Sequence, residues 1–239
     1  HRFSVQARLN VLIPNPEWFA AVQNLRYIDQ VWAKTHDCEE IFGARHKDVR
    51  YLGWTSEDRL LSEAVKAHGL IHIAGDSNAK GTLAVIDAMR IASNHAMTLV
   101  SRKDWGSLPS NVVQFKGMGN LELQFNQNVT MVHLCPSSYE GFGHYINEAR
   151  SVGAVIITTN AAPMNELVTK DIGFGAAVAS TSRQNLATHH HVDPGALADC
   201  IDAAMSTPIE TLRYIGTRAR AAYLAGRDEF KSNLRTLLP

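Results

Sequence analysis

The feature that most constrains this chain is a repeated alternation of short apolar runs with longer amphipathic stretches. The runs are residues 10–13, 30–33, 70–74, 97–100, 111–115, 130–134, 155–158 and 174–178. Several are continuous and β-branched, as expected of strands buried on both faces. Between them the spacing predicts helices over 81–93, 121–128, 143–152, 164–168 and 194–206. In the first of these, Leu83, Ile86, Ala88, Met89 and Ile91 fall broadly on one side. Repeated βα units of this size imply an α/β fold with parallel, doubly wound sheets and crossover helices.

The last third reads as helix-rich. Asp193 and Pro194 form a cap and first turn, and Thr207, Pro208 and Glu210 match a second start of the capping-box type. Residues 218–238 read as an amphipathic helix pair whose task is to pack back across the N-terminal block. The charged stretch 53–69 separates two βα blocks. The expected organisation is therefore a partial Rossmann-like domain over 1–52, a linker over 53–69, a complete Rossmann-like domain over 70–206 and C-terminal helices over 207–239.

Composition excludes several classes. With 23 Lys and Arg against 23 Asp and Glu, the chain lacks the basic excess of a dedicated nucleic-acid binder. Cys38, Cys135 and Cys200 are widely spaced and form no CxxC pair, which suggests neither a zinc knuckle nor a disulfide framework and fits a reducing, cytoplasmic setting. No run of apolar residues is long enough for a membrane span. The Asn128-Val129-Thr130 sequon falls at the start of an expected core strand and is discounted.

In an open parallel sheet, ligands bind beyond the carboxyl ends of the strands, where helix N-termini point into the crevice. After 70–74 comes GDSNAKGT: Gly75, a polar loop with Ser77, then Lys80 and Gly81 opening a helix. Its amides and Lys80 suit phosphate oxygens, although the Walker A spacing is absent. An ordinary strand–helix turn with a solvated lysine is an equal reading. After 130–134 comes CPSSYEGFGHYINEA, with Glu140, Gly141, Phe142, Gly143 and His144 leading into a helix that carries Glu148. Glycines let this loop approach a ligand, and a carboxylate accepts from paired sugar hydroxyls. The next strand end is followed by Asn160, Pro163, Asn165 and Glu166.

The segment EGFGHYINEA resembles the Glu-x7-Glu signature of the retaining group 1 glycosyltransferases (glycosyltransferase family 4), Glu140 to Glu148. The preceding P-S-x-x-E-G-F-G, the following V-I-I strand and the P-x-x-E-L-V segment agree in order, and the Gly75…Lys80-Gly81 loop lies where the family has its diphosphate loop. The resemblance covers residues 70–205 well and 9–56 loosely. It implies a GT-B fold with a complete C-terminal domain and a shortened N-terminal one. It implies Glu148 on the ribose, Glu140 on the donor sugar, Lys80 on the diphosphate beside the amides of Phe142, Gly143 and His144, and Asn165 and Glu166 lining the donor pocket. The donor is then a nucleoside-diphosphate sugar, with no cofactor or metal required. His36, after the second apolar run, is the N-terminal candidate to project into the cleft and assist the reaction, with Asn15 and Glu17 similarly placed. Capping by Thr35 and Asp37 is the plainer reading of that segment.

The family often has Arg after the loop glycine, where this chain has Asp76; Ser77 or Arg102 is the candidate to offset it. Asp76 and the short N-terminal block support an alternative, a non-catalytic nucleotide- or sugar-phosphate-binding module. A doubly wound oxidoreductase lacks the GxGxxG fingerprint. The run His189-His190-His191 reads as a solvated loop rather than a metal site. Trp18, Trp32, Trp54 and Trp105 read as core or domain-edge aromatics. The length and the start at His1 read as a chain without its first strands, completed by a partner chain or an oligomer, since two such domains usually need about 350 residues.

Overall fold

The computed structural model describes residues 7–20 and 22–238. A small parallel sheet comes first: β1 (Val11–Leu12), β2 (Gln30–Ala33) and β3 (Val49–Tyr51), in that order, with α1 (His36–Gly43) between the last two. Val31, Ala33, Cys38 and Phe42 are fully buried and pack with Leu25 and Ile28 in its core. Thr35 caps α1 by accepting from the Cys38 amide at 3.1 Å. A third strand is in keeping with a short first block of three strands, but no apolar run marks β3, because its three residues are only half-buried or exposed.

The larger sheet contains β4 (Ala67–Gly75), β5 (Met97–Ser101), β6 (Val112–Phe115), β7 (Thr130–Cys135), β8 (Val155–Thr159) and β9 (Gly173–Ala176). All are parallel, in the spatial order β6-β5-β4-β7-β8-β9. The order reverses between β4 and β7, which is the topological switch point of a doubly wound sheet. Helices α2 (Thr82–Ile91), α3 (Asn120–Val129), α4 (His144–Ser151), α5 (Met164–Leu167), α6 (Pro194–Ser206) and α7 (Ile209–Leu237) accompany the sheet. Val155, Ile156 and Ile157 are wholly buried because helices cover both faces. Each such side chain contributes roughly 1.5–3 kcal/mol through burial.

Several expectations need correction. On α2 the buried residues are Val85, Ile86, Ala88 and Met89, whereas Leu83 and Ile91 are exposed, because the stripe facing the sheet is narrower than the run of apolar residues. The run 174–178 does not continue as one strand. It divides after Ala176, and Val178 begins a hairpin of β10 (Val178–Gln184) and β11 (Ala187–Val192). The three histidines lie in β11, not in a loop, with His189 buried and His191 exposed. This hairpin forms by pairing and docking rather than by apolar alternation, and Asn185 turns it at φ +53°. The C-terminal segment is one helix of 29 residues rather than a pair. Its capping box is absent: Thr207 donates to the Ala203 carbonyl at 2.7 Å and thereby ends α6, while no side chain caps α7. The Asp193 cap does form, accepting from Ala196 at 2.8 Å. Trp18 is exposed and Trp32 is core. Asn128 is buried and its amide donates to Arg59 and Gln124 carbonyls, so the sequon is inaccessible.

The long helix α7 packs on α4 and reaches the linker, where Phe230 lies 5.3 Å from Trp54 and Asn233 donates to the Leu52 carbonyl. Among the described residues, no helix is long and apolar enough to cross a membrane.

Candidate functional site

The loops after β4 and β7 meet at the switch point. After β4, Ser77 caps a short turn over Asn78–Lys80, accepting from Ala79 at 3.1 Å, and Gly81 begins α2 at φ +70°. A Cβ on Gly81 would stand 2.1 Å from the Pro136 carbonyl oxygen, so only glycine lets the two loops touch. The Ser138 amide donates to Ala79 at 2.8 Å and ties them further. This contact aims Lys80 across the gap. Its Nζ lies 2.6 Å from Glu140 Oε1 and 3.9 Å above the Tyr145 ring. Glu140 also accepts from Ser137, whose hydroxyl lies 2.8 Å from the Tyr145 hydroxyl. Burial pushes the Tyr145 phenol far above its ordinary range, so it stays protonated beside the carboxylate. Both side chains of the ion pair retain some exposure, 20% for Lys80 and 10% for Glu140, so the pair is open to a ligand.

Gly143 caps α4, whose first amides face the same crevice. Glu148 lies one turn past His144. Its Oε2 accepts from Gln127 at 2.9 Å and lies 4.0 Å from Arg59 Nε. Arg59 is buried, donates to Gln127 Oε1 and reaches the Asn120 carbonyl at 3.2 Å, so it fixes the amide that holds Glu148. His144 bonds to Ser56 at 3.0 Å. Burial chiefly holds its imidazole below the ordinary range; Glu148, Lys34, Glu140 and Lys80 all act on it, so these groups share one region.

The small sheet closes the crevice. A Cβ on Gly141 would lie 2.6 Å from Asn15 Oδ1 and 2.9 Å from Glu17 Oε1. Lys34 donates to Asn15, and Tyr139 donates to Asp37 at 2.6 Å. Burial raises the Glu17 carboxyl and lowers the Lys34 ammonium, and Glu17 Oε2 is buried without a partner. The hairpin joins both sides: Leu186 donates to Pro16 at 3.2 Å, while His189 lies 3.0 Å from the Ser138 hydroxyl.

Lys80, Glu140, Gly141, Phe142, Gly143, His144 and Glu148 thus lie together, with Gly75 and Ser77 in the adjoining loop. Other candidates are used differently. Asn165 is exposed and lies 3.4 Å from Asn160. Glu166 spans the two halves and accepts from the backbone amides of His36 and Asp37, each at 2.8 Å. It therefore caps α1. The His36 ring stacks on Tyr51 at 4.1 Å and bonds Glu39 at 3.0 Å, with no contact to the Lys80–Glu140 pair. Asp76 and Arg102 do pair, at 3.4 Å, but both are mostly exposed, so the interaction is worth at most about 1 kcal/mol. Gln127 and Arg59 carry no motif that sequence reasoning could use, whereas Ser137 is the serine of the P-S-x-x-E-G-F-G segment. Among the described residues, no group of three His, Cys, Asp or Glu side chains is placed to hold a metal ion.

No family model and no curated protein matches the sequence. Solved structures are similar in fold. HepE of Anabaena, solved with UDP and glucose, superposes with TM-score 0.72 at 18% identity, over 96% of this chain and 71% of that one. A glycosyltransferase from Rickettsia africae gives TM-score 0.69 at 16% identity, over 94% of this chain and 67% of that one. The sucrose-phosphate synthase of Thermosynechococcus elongatus gives 0.66 at 18% identity, over 85% of this chain and 55% of that one. The fold is that of the GT-B glycosyltransferases, and the chain spans between about half and three quarters of these proteins' lengths.

Proposed function

We propose that this chain belongs to a retaining glycosyltransferase that moves a sugar from a nucleoside-diphosphate sugar to an acceptor not yet identified, without a metal ion. The observation that carries this reading is the Lys80–Glu140 pair at 2.6 Å, set at the switch point beside the N-terminus of α4, with Glu148 one turn along. A cation and free helix amides stabilise negative charge, and a leaving diphosphate is where charge develops in sugar transfer. In this reading the diphosphate displaces Glu140 from Lys80. Glu140 is then free to accept from the sugar's hydroxyls, and Glu148, steadied by Gln127, accepts from the ribose. The two carboxylates recognise the donor; they are not an acid/base pair across one bond, as in a glycosidase. A soluble, cytoplasmic setting is part of the same proposal.

Two substitutions separate the roles. Glu148→Ala removes hydrogen bonds to a charged acceptor, and nucleoside-diphosphate affinity measured by calorimetry should fall about 10- to 100-fold. Equal affinity in Glu148→Ala and the parent would discard the ribose assignment. Glu140→Gln releases Lys80, so nucleoside-diphosphate affinity should hold or rise while turnover of the sugar nucleotide falls by about two orders of magnitude. Chelator should leave turnover intact. The exposed Asp76 in the phosphate loop favours the alternative, a binding module without transfer. Melting-point increases with UDP, GDP or ADP, but no nucleoside diphosphate released from any of their sugars, would decide for it.

A further inference from the structure

A cavity of about 230 Å³ lies where the two halves and α7 meet, and Phe142 and Glu166 of the donor-side candidates reach its wall. Residues from both halves and from α7 line it, among them Lys34, Tyr51, Trp54, Asn147, Arg150 and Arg227. Arg150 sets its character. It is only 9% exposed, and its Nη1 donates to Asn147 Oδ1 at 2.8 Å. Its Nε is buried with no acceptor, and among the described residues Arg150 forms no ion pair. A buried guanidinium with a single neutral partner is costly to keep and stabilises nothing by itself. Its charge neighbour is the Tyr51 phenol, and burial lowers the Arg150 pKa to about 10, so the group remains cationic.

The other charges are already committed or stand apart. Lys34 is held by Asn15, Arg227 lies 3.8 Å from Asp58, and both oxygens of Glu166 cap α1. Among the described residues Arg150 forms no ion pair, and it stands at the wall of a cavity with Tyr51 and Trp54 as aromatic sides. We infer that this cavity is a binding site for a small oxyanion, held through the planar fork of Arg150 with Asn147 and Tyr51 beside it. Exposed Glu229 on the same cavity would repel a second negative charge, which favours a carboxylate over a phosphate dianion. Because the walls come from both halves, the ligand would bridge them. The inference does not depend on sugar transfer.

The test is thermal unfolding of the full chain with glucuronate, inorganic phosphate or neutral glucose. Glucuronate is expected to raise the melting temperature most, and glucose not at all. The glucuronate increase should vanish in Arg150→Met, weaken about 10-fold in apparent affinity in Arg150→Lys, which keeps the charge but loses the fork, and persist in Lys80→Gln. A larger response to phosphate, also lost in Arg150→Met, would keep the oxyanion site and reassign its ligand. Without ligand, Arg150→Met should melt at or above the parent temperature, since it removes an uncompensated buried charge. A response retained in Arg150→Met, or lost in Lys80→Gln, overturns the site. So does a ligand-free melting temperature of Arg150→Met lower by more than about 5 °C, which would make Arg150 a packing residue.

Discussion

Gly81→Ala is expected to destabilise this protein far more than Gly75→Ala, although the two glycines share one loop and both have positive φ. Gly75 sits at φ +56° with open space where a Cβ would go. Alanine there suffers only the left-handed backbone penalty, about 1–2 kcal/mol. At a few degrees per kcal/mol for a chain of this size, the melting temperature should fall by about 4 °C. Gly81 has the same backbone penalty at φ +70°, and its new methyl would stand 2.1 Å from the Pro136 carbonyl oxygen. That neighbour is backbone, so one loop must retreat, which adds about 1–3 kcal/mol or more. A fall of about 10 °C is expected. The retreat also moves Lys80 and the first amides of α2 off the proposed diphosphate position, so nucleoside-diphosphate affinity should drop in Gly81→Ala and hold in Gly75→Ala. Similar melting temperatures for the two variants would show that the loops are not in the contact described.

Acid should destabilise the fold before most carboxylates titrate, because two histidines are buried neutral under the large sheet. His72 is fully enclosed, with Nδ1 2.7 Å from the Leu134 carbonyl and Nε2 3.0 Å from the Thr82 hydroxyl. The carbonyl can only accept, so the proton sits on Nδ1 and Thr82 donates to Nε2. His133 Nε2 donates to the Gln127 carbonyl at 3.0 Å. Burial lowers their pKa from 6.5 to about 4 and about 3 respectively. The unfolded chain therefore binds protons that the folded one refuses. Stability is full above pH 6.5 and is lost as pH falls toward those folded values. Each group costs about 1.4 kcal/mol per pH unit in that window. Two groups together remove several kcal/mol, a large share of a typical 5–15 kcal/mol. Glu17, Asp37 and Glu166, whose carboxyls burial raises, work in the opposite sense, since the folded chain takes up their protons before the unfolded chain does. Urea titrations should show stability falling steadily below pH 6.5, and a His72→Asn/His133→Asn chain that still folds should show a flatter profile. A parent profile level down to pH 5 would refute this reading.

The fold was legible wherever burial is periodic. The strands β4, β5, β7 and β8 are buried on both faces, and their apolar runs predict them to within a few residues. Failures came where an element is held by pairing instead. The hairpin β10–β11 is mostly polar and exposed on one strand, so nothing in its residue pattern separates it from a loop. At the site, Lys80, Glu140 and Glu148 were legible because their motif lies at strand ends. Gln127 and Arg59 were not: an arginine in a charged linker has no local mark that it will be buried against α3.

The residues alone determined the order of the elements, since local periodicity records which face each element buries. They also placed the glycine-flanked carboxylate and the lysine at strand ends, because turn geometry is a local demand. Only the tertiary structure decided which of these groups meet. Lys80 and Glu140 are 60 residues apart and Glu166 caps an amide 130 residues away, so their pairing depends on the sheet order and on how the two halves close. The same long-range packing left Arg150 without a counter-charge. Side-chain partners across such separations follow from the assembled topology, which no short window of sequence contains.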